Sequence, residues 1–313
     1  MRRRFVGGLL GLLLLLSACA RSAAPAAQVS PAGPSPSAAF PVTITDDDGQ
    51  LVTVPTEPQR IVTFAPSMTE TLFALGIGDR LVGVSGKYDD YPPAAKGIQE
   101  VGGAGDFGVD PNIEKVVSLQ PDLFLTISGG DQWKKQLRDL GIPVVTLDAT
   151  DFPDLLQDID TIGGITGTAQ AAQALTANMQ ARAAQVAATV DQAGGPVSCF
   201  FEVYYPPLTT VGPNTFIYDL LRRAGCDPVT SSAKTDYPQW SVEKLVTENP
   251  VVYLTTAESA RSIQAVASRP GFDALSAVAD GRVVLVNSDL VTRPGPRVID
   301  GLEELAAALH PSG

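Results

Sequence analysis

Histidine is nearly missing from this chain of 313 residues: the single one, His310, lies three positions from the C-terminus. Any site built from several imidazoles is thereby excluded, and with it the zinc hydrolases and the histidine-rich transition-metal binders. A Ser-His-Asp mechanism would have to recruit a residue of the C-terminal tail. The sequence also has no G-x-S-x-G elbow, no dinucleotide glycine fingerprint placed directly between a strand and a helix, and no P-loop. Ser231 and Lys234 have S-x-x-K spacing, but no K-T-G or S-D-N follows in a suitable context, so a serine hydrolase is a weak rival. Basic residues are scarce, 22 against 34 acidic. That balance argues against nucleic acid or an anionic lipid surface as partner. The one strongly apolar stretch, Val6 to Leu16, is too short for a comfortable membrane span.

What is present begins with an export signal. Arg2, Arg3 and Arg4 form a positive n-region before that apolar stretch, and Leu16-Ser-Ala-Cys19 follows. A cysteine directly after Leu-Ser-Ala matches the bacterial lipoprotein box, which predicts cleavage after residue 18 and lipidation of Cys19. Losing those three arginines leaves 19 basic against 34 acidic residues, a net of −15. Residues 19–40 are Ala, Ser and Pro with almost no large apolar side chain, a composition that reads as a flexible tether. The expected location is extracytoplasmic, with membrane attachment only through the N-terminal lipid. Two further cysteines, Cys199 and Cys226, make an even pair in an exported chain and are a disulfide candidate.

A pattern then occurs twice. Asn112 to Thr126 (NIEKVVSLQPDLFLT) resembles Ser241 to Thr256 (SVEKLVTENPVVYLTT), with Glu114/Glu243, Lys115/Lys244 and Pro121/Pro250 all 129 residues apart. Each copy reads as a short helix, stopped at a proline, that feeds a buried parallel strand. A second echo follows each copy, GIPVVTLDATD from Gly141 and GRVVLVNSD from Gly281. Repetition at this spacing predicts two lobes of related α/β construction. The first lobe opens with a strand from Ile61, a helix capped by Ser67 or Thr69 and running through Leu75, and a strand from Leu81. The second opens with a strand over Val197 to Tyr204 and a helix from Thr215 to Ala224. Between them, Thr168 to Ala193 is alanine-rich and free of Gly and Pro, which predicts one helix of roughly 40 Å, N-capped by Thr168 and joining the lobes. The expected organisation is a signal peptide (1–18), the tether (19–40), a first α/β lobe (41–150), a connecting helical segment (151–194) and a second α/β lobe (195–313).

In order and spacing these stretches resemble the helical-backbone (class III) periplasmic binding proteins, which serve ABC importers of vitamin B12, iron-siderophores and haem. The matching segments include RIVTFAPSMTETLFALGIGDRLVGVS, YDDYPP, both repeat copies, the long helix, TFIYDLLRRAG and RPGPRVIDGLEELAAALHP, covering nearly everything from Arg60 to Pro311. YDDYPP, Tyr204-Tyr-Pro-Pro207, YPQWS and RPGPR are closest to the B12-binding branch. The resemblance implies two Rossmann-like lobes, mostly parallel sheets flanked by helices, joined by one rigid helix with the ligand between them at the strand C-termini. It implies a monomer without catalytic activity or cofactor, whose partners are a permease and, through it, an ATPase.

Glu114 and Glu243 match the two family glutamates, one per lobe, that pair with permease arginines; taken singly, each also suits a helix's first turn. Tyr88 aligns with a ligand-stacking tyrosine of the B12 branch. Tyr91 lies beside it, before Pro92-Pro93. Tyr204, Tyr205, Tyr237 and Trp240 fall on second-lobe segments that face the cleft there, and Arg293 on its rim, where it meets an acidic group or fixes the start of the last helix. Aromatics give large contact area at low entropy cost, which suits a flat macrocycle. Core packing competes most strongly for Tyr205 and Trp240, since strand alternation sends one of Tyr204 and Tyr205 inward. Where the B12 proteins carry a loop tryptophan, this chain offers Phe107. Few rim cations are available for an anionic catecholate chelate, which favours a corrinoid, with ferric siderophore or haem as alternatives of the same class. A lipid-anchored ligand sensor is the alternative of another class.

Overall fold

Short apolar runs separated by helical segments fold into two lobes, each a parallel sheet between helical layers. The computed structural model describes residues 39–102 and 110–311. The signal segment, Cys19, most of the tether and Phe107 lie outside the described residues. Among the described residues no helix is long and apolar enough to cross a membrane.

The first lobe starts with an antiparallel hairpin, β1 (Val42–Thr45) and β2 (Leu51–Val54). Its acidic turn docks on the edge of the main sheet. The Thr146 amide donates to Asp46 at 3.2 Å, and the fully buried Lys134 donates to Asp48 at 2.7 Å. The main sheet follows from β3 (Ile61–Thr63), α1 (Pro66–Ala74), β4 (Leu81–Gly83), α2 (Ile113–Ser118), β5 (Leu123–Thr126), α3 (Asp131–Asp139) and β6 (Val144–Thr146). Its order is β4-β3-β5-β6, all parallel. Every residue of β3, β5 and β6 is buried, as strands covered on both faces require.

The start of α1 differs from the sequence reading. Ser67 and Thr69 lie inside the helix, and its N-cap, Ala65, makes no side-chain bond. Pro66 at the first turn has its φ set for a helix and removes one amide that would need a partner, and the Met68 amide is met by the Ala65 carbonyl at 3.1 Å. Thr69 instead turns inward, bonding the Thr63 hydroxyl at 2.7 Å and donating to buried Asp89.

Two helices connect the lobes, α4 (Phe152–Thr166) and α5 (Ala169–Gln192). They pack backbone-close: a Cβ at Gly163 would lie 2.4 Å from the Ala172 methyl. Thr168 occupies the N-cap position of α5, but its hydroxyl pairs with Thr166 at 2.9 Å rather than with a helix amide. At 1.5 Å per residue the 24 residues of α5 extend about 36 Å. Its first half packs on α4; further along, Arg182 pairs with Asp300 (2.6 Å) and Glu303 (2.7 Å) of the second lobe.

The second lobe contains β7 (Val197–Tyr204), β8 (Thr209–Thr210), α6 (Phe216–Arg223), β9 (Cys226–Pro228), α7 (Val242–Glu248) and β10 (Val252–Thr256). It continues with α8 (Ile263–Ala267), α9 (Ser276–Ala279), β11 (Val283–Val286), α10 (Ser288–Val291) and α11 (Val298–Leu309). β9, β7, β10 and β11 run parallel, and β8 adds antiparallel to the end of β7. A disulfide joins Cys199 and Cys226 on the neighbouring strands β7 and β9, with Cα atoms 5.6 Å apart. The observed class, two parallel-sheet lobes with a long connecting helix, is the one the sequence implied.

The two repeat copies are structural equivalents. Asn112 caps α2 by accepting from the Lys115 amide (3.0 Å), and Ser241 caps α7 by accepting from the Lys244 amide (3.1 Å). Each copy leaves its helix through a non-glycine residue in the left-handed region just before proline, Gln120 (φ 47°) and Asn249 (φ 44°). One apolar cluster runs from the first lobe (Leu72, Leu125) through the connecting helices (Ile159, Met179) into the second (Leu220, Leu302). Smaller clusters cover the outer face of each sheet, around Trp133 in the first lobe and around Trp240 and Phe272 in the second.

Candidate functional site

The carboxyl ends of β3, β5 and β6 open into a cleft of about 430 Å³ whose walls come from both lobes. The first lobe supplies Ala65 to Ser67, Ile127 and Asp148 to Thr150, all directly after those strands; the second supplies Asn214 to Ile217, Asp236, Tyr237 and Thr292 to Pro294. Placement beyond parallel strand ends is where ligands of open α/β sheets bind, because the loops there vary without disturbing the sheet.

Of the residues singled out from sequence, Tyr237 and Arg293 line this cleft. Partial burial of the Tyr237 hydroxyl, reinforced by the carboxylates of Asp236 and, on the other lobe, Asp148, raises its pKa. Arg293 is 16% exposed and already engaged: Asp289 at 2.6 Å, Asp90 at 3.6 Å and Glu70 at 3.8 Å surround it. It also donates to the Tyr88 carbonyl at 3.0 Å, which brings the YDDYPP loop to the rim. That loop is pinned by Asp89, almost fully buried, which accepts from Thr69, Ser85 and the Gly86 amide. Burial raises the Asp89 pKa despite those bonds. Tyr88 and Tyr91 on either side of it remain 40% and 43% exposed. Tyr91 borders a separate side cavity of about 280 Å³ with Glu70, Phe73 and Arg297.

The structure does not bring Tyr205 or Trp240 to the cleft. Trp240 is buried in the second lobe's outer core, donates to Glu248 at 3.2 Å and is covered by the Lys244 ammonium. Tyr205 packs edge-on against Phe272, with the Arg269 guanidinium 3.9 Å from its ring centre. That guanidinium is fixed by Glu202, fully buried, which also accepts from Tyr253 and Ser259. Burial would raise the Glu202 carboxyl, but these donors outweigh it and hold the pKa low. Both aromatics therefore serve packing. Tyr204, at the end of β7, is exposed and outside the cleft lining. Sequence reasoning passed over Asp148, Asn214 and Asp236; the position of Asp148, directly after a predicted strand, was the available signal.

Glu114 and Glu243 lie in the first turns of α2 and α7, exposed, and neither forms an ion pair with another described residue. His310 packs at the end of α11 within 3.3 Å of the Gly225 carbonyl. Ser231 and Lys234 are exposed on an irregular loop, and no group of three or more potential metal ligands occurs among the described residues.

A family model described as periplasmic binding protein matches residues 61–290. The chain belongs to that family. A periplasmic binding protein is the extracytoplasmic substrate-binding component of an ABC transporter and performs no catalysis, and the geometry above is that of such a protein. Among its relatives, the chain is 38% identical to an uncharacterized ABC transporter substrate-binding lipoprotein of Bacillus subtilis, over 87% of this chain and 86% of the relative. It is 34% identical to a cobalamin-binding protein of Halobacterium salinarum, over 95% and 84%. Of solved structures, the periplasmic vitamin B12-binding protein of Vibrio cholerae superposes with a TM-score of 0.70 at 26% identity, covering 82% of this chain and 98% of that one.

Proposed function

We propose that this periplasmic binding protein captures a corrinoid between its lobes and delivers it to an importer permease. The observation that carries the reading is the charge of the cleft. Among the described residues its one guanidinium, Arg293, is already surrounded by three carboxylates, and two further acids, Asp148 and Asp236, line the walls. An anionic catecholate chelate entering there would meet uncompensated like charge in a partly desolvated site. A neutral or cationic macrocycle bearing amides would not, and Tyr237 offers it an aromatic face, with Tyr88 on the adjoining rim loop. The cobalamin- and B12-binding relatives support the same choice.

Glu114 and Glu243 are the proposed permease contacts. Two exposed carboxylates on equivalent helices of two tied lobes give a two-point electrostatic dock that fixes orientation. Cys19 is the proposed lipid anchor. The test is titration of cobinamide, cobalamin, haem and ferric siderophores, followed by intrinsic fluorescence and confirmed by calorimetry. One-to-one corrinoid binding weakened by Tyr88→Ala supports the reading. Binding of an iron chelate or haem alone would overturn the ligand. Ligand binding without import in a strain otherwise competent for uptake would favour the sensor alternative.

A further inference from the structure

The segment Arg293-Pro-Gly-Pro-Arg297 lies in the second lobe, yet both its arginines and its glycine reach the first. Gly295 sits against Ser67 of α1 so closely that a Cβ there would come within 3.3 Å of the Ser67 Cα, Cβ and carbonyl oxygen. One turn along α1, Glu70 is 4% exposed and receives Arg297 in a two-pronged pair, Nε to Oε2 at 2.7 Å and Nη2 to Oε1 at 2.5 Å. The Arg297 guanidinium also stacks 3.8 Å from the centre of the Tyr91 ring. Arg293 stands 3.8 Å from the same Glu70 carboxylate while donating to the Tyr88 carbonyl.

From this geometry we infer that Glu70 is a positioning residue of the ligand cleft: a buried first-lobe carboxylate that, through Arg297 and Arg293, latches the lobes and sets the pose of Tyr91 and Tyr88. The inference rests on the proposal that ligand binds between the lobes. Glu70 is not part of the cleft lining and acts through the two arginines. A buried carboxylate facing two guanidiniums is the kind of group whose removal is felt at once, because the cations it leaves behind are held away from water. The bidentate fork adds direction, since a planar guanidinium on two carboxylate oxygens tolerates little rotation. Arg297 thereby presents a fixed plane to the Tyr91 ring, and the Gly295 contact fixes the approach of the two lobes at the same seam.

The latch is tested by hydrogen–deuterium exchange on the full chain in detergent, read segment by segment, together with ligand titration. Glu70→Gln is expected to speed exchange at least about tenfold in residues 85–91 of the first lobe and 287–300 of the second, while α2 and α7 keep wild-type protection. Arg297→Lys, which keeps the charge but loses the fork, is expected to fall between. Gly295→Ala, which presses on Ser67 without touching a charge, should loosen the same two segments to a smaller degree and serves if Glu70→Gln does not fold. On a ligand that wild type binds, Glu70→Gln should weaken affinity about tenfold or more through faster release. Uniform acceleration across all segments, or unchanged exchange at 85–91, would overturn the latch. If wild type binds none of the ligands offered, the functional proposal fails while the exchange pattern still decides the latch.

Discussion

Asp158 on α4 is a carboxyl whose ionisation the fold opposes. It borders a cavity of about 20 Å³ beneath the cleft, among Met68, Leu147, Leu155 and Ile159. Burial, then the carboxylates of Asp47, Asp154 and Asp148, push it up to about 8 from 3.8, against one bond from the Ala149 backbone. The folded state therefore keeps a proton that the unfolded chain releases above about pH 4. Stability from this residue is highest below that point, falls as pH rises, and levels off above about pH 8. A displacement of that size corresponds to about 5–6 kcal/mol at most. Because Asp158 itself is only partly buried, and Asp47 and Asp154 are exposed and screened over about 8 Å at physiological salt, a net of about 2–4 kcal/mol is expected. Asp158→Asn keeps the shape and removes the ionisation. Urea unfolding of both proteins at pH 4, 6, 7.5 and 9 should give curves that coincide at pH 4 and separate progressively, with the variant about 2–4 kcal/mol more stable at pH 9. A difference independent of pH would refute the reasoning, as would a carboxyl carbon resonance of Asp158 titrating near pH 4.

Replacing Glu114 and Glu243 together by alanine should abolish import while leaving ligand affinity within about twofold, with each single change giving an intermediate uptake rate. Tyr237→Ala should weaken ligand binding by about 1–2 kcal/mol with little loss of fold, whereas Trp240→Ala should cost about 3–5 kcal/mol of stability in thermal unfolding. Reducing the Cys199–Cys226 bridge, which closes a 27-residue separation, should lower stability by about 3.5 kcal/mol in denaturant titrations run with and without dithiothreitol. Glu202→Gln leaves Arg269 buried without its counter-charge and should cost about 3–5 kcal/mol at neutral pH. Since the folded Glu202 pKa lies below its usual value of 4.5, that stabilisation is complete above it and is lost as pH falls through the folded pKa, so the gap to wild type should close in acid.

The architecture was legible because its signals are local. Alternating apolar strands and short helices, and a repeat 129 residues apart, dictate two α/β lobes without knowledge of any long-range contact. What local pattern leaves undecided is where a side chain points. Tyr204 and Tyr205 are neighbours with opposite fates, and Phe272 and Arg269, both more than 60 residues away, decide that Tyr205 packs inward. Thr69 looked like a helix cap, but its partners Thr63 and Asp89 come from elsewhere in the chain and draw it into the core. Glu70 gave no signal at all, since its meaning depends on arginines more than 220 positions later. Glu114 and Glu243 stood out because the repeat and the resemblance point at the same two residues, and each lies in the first turn of its own helix.

The apolar cluster that passes from one sheet through α4 and α5 into the other has a consequence for how the molecule comes apart. Leu72 and Leu302 belong to a single continuous interior, so opening either lobe exposes apolar surface of the other. Heating should accordingly produce one calorimetric transition whose van't Hoff and measured enthalpies agree, rather than two. For the same reason a fragment ending near residue 150 should expose that surface and aggregate instead of folding alone: the two halves share one interior, and neither is a module that can be grafted elsewhere.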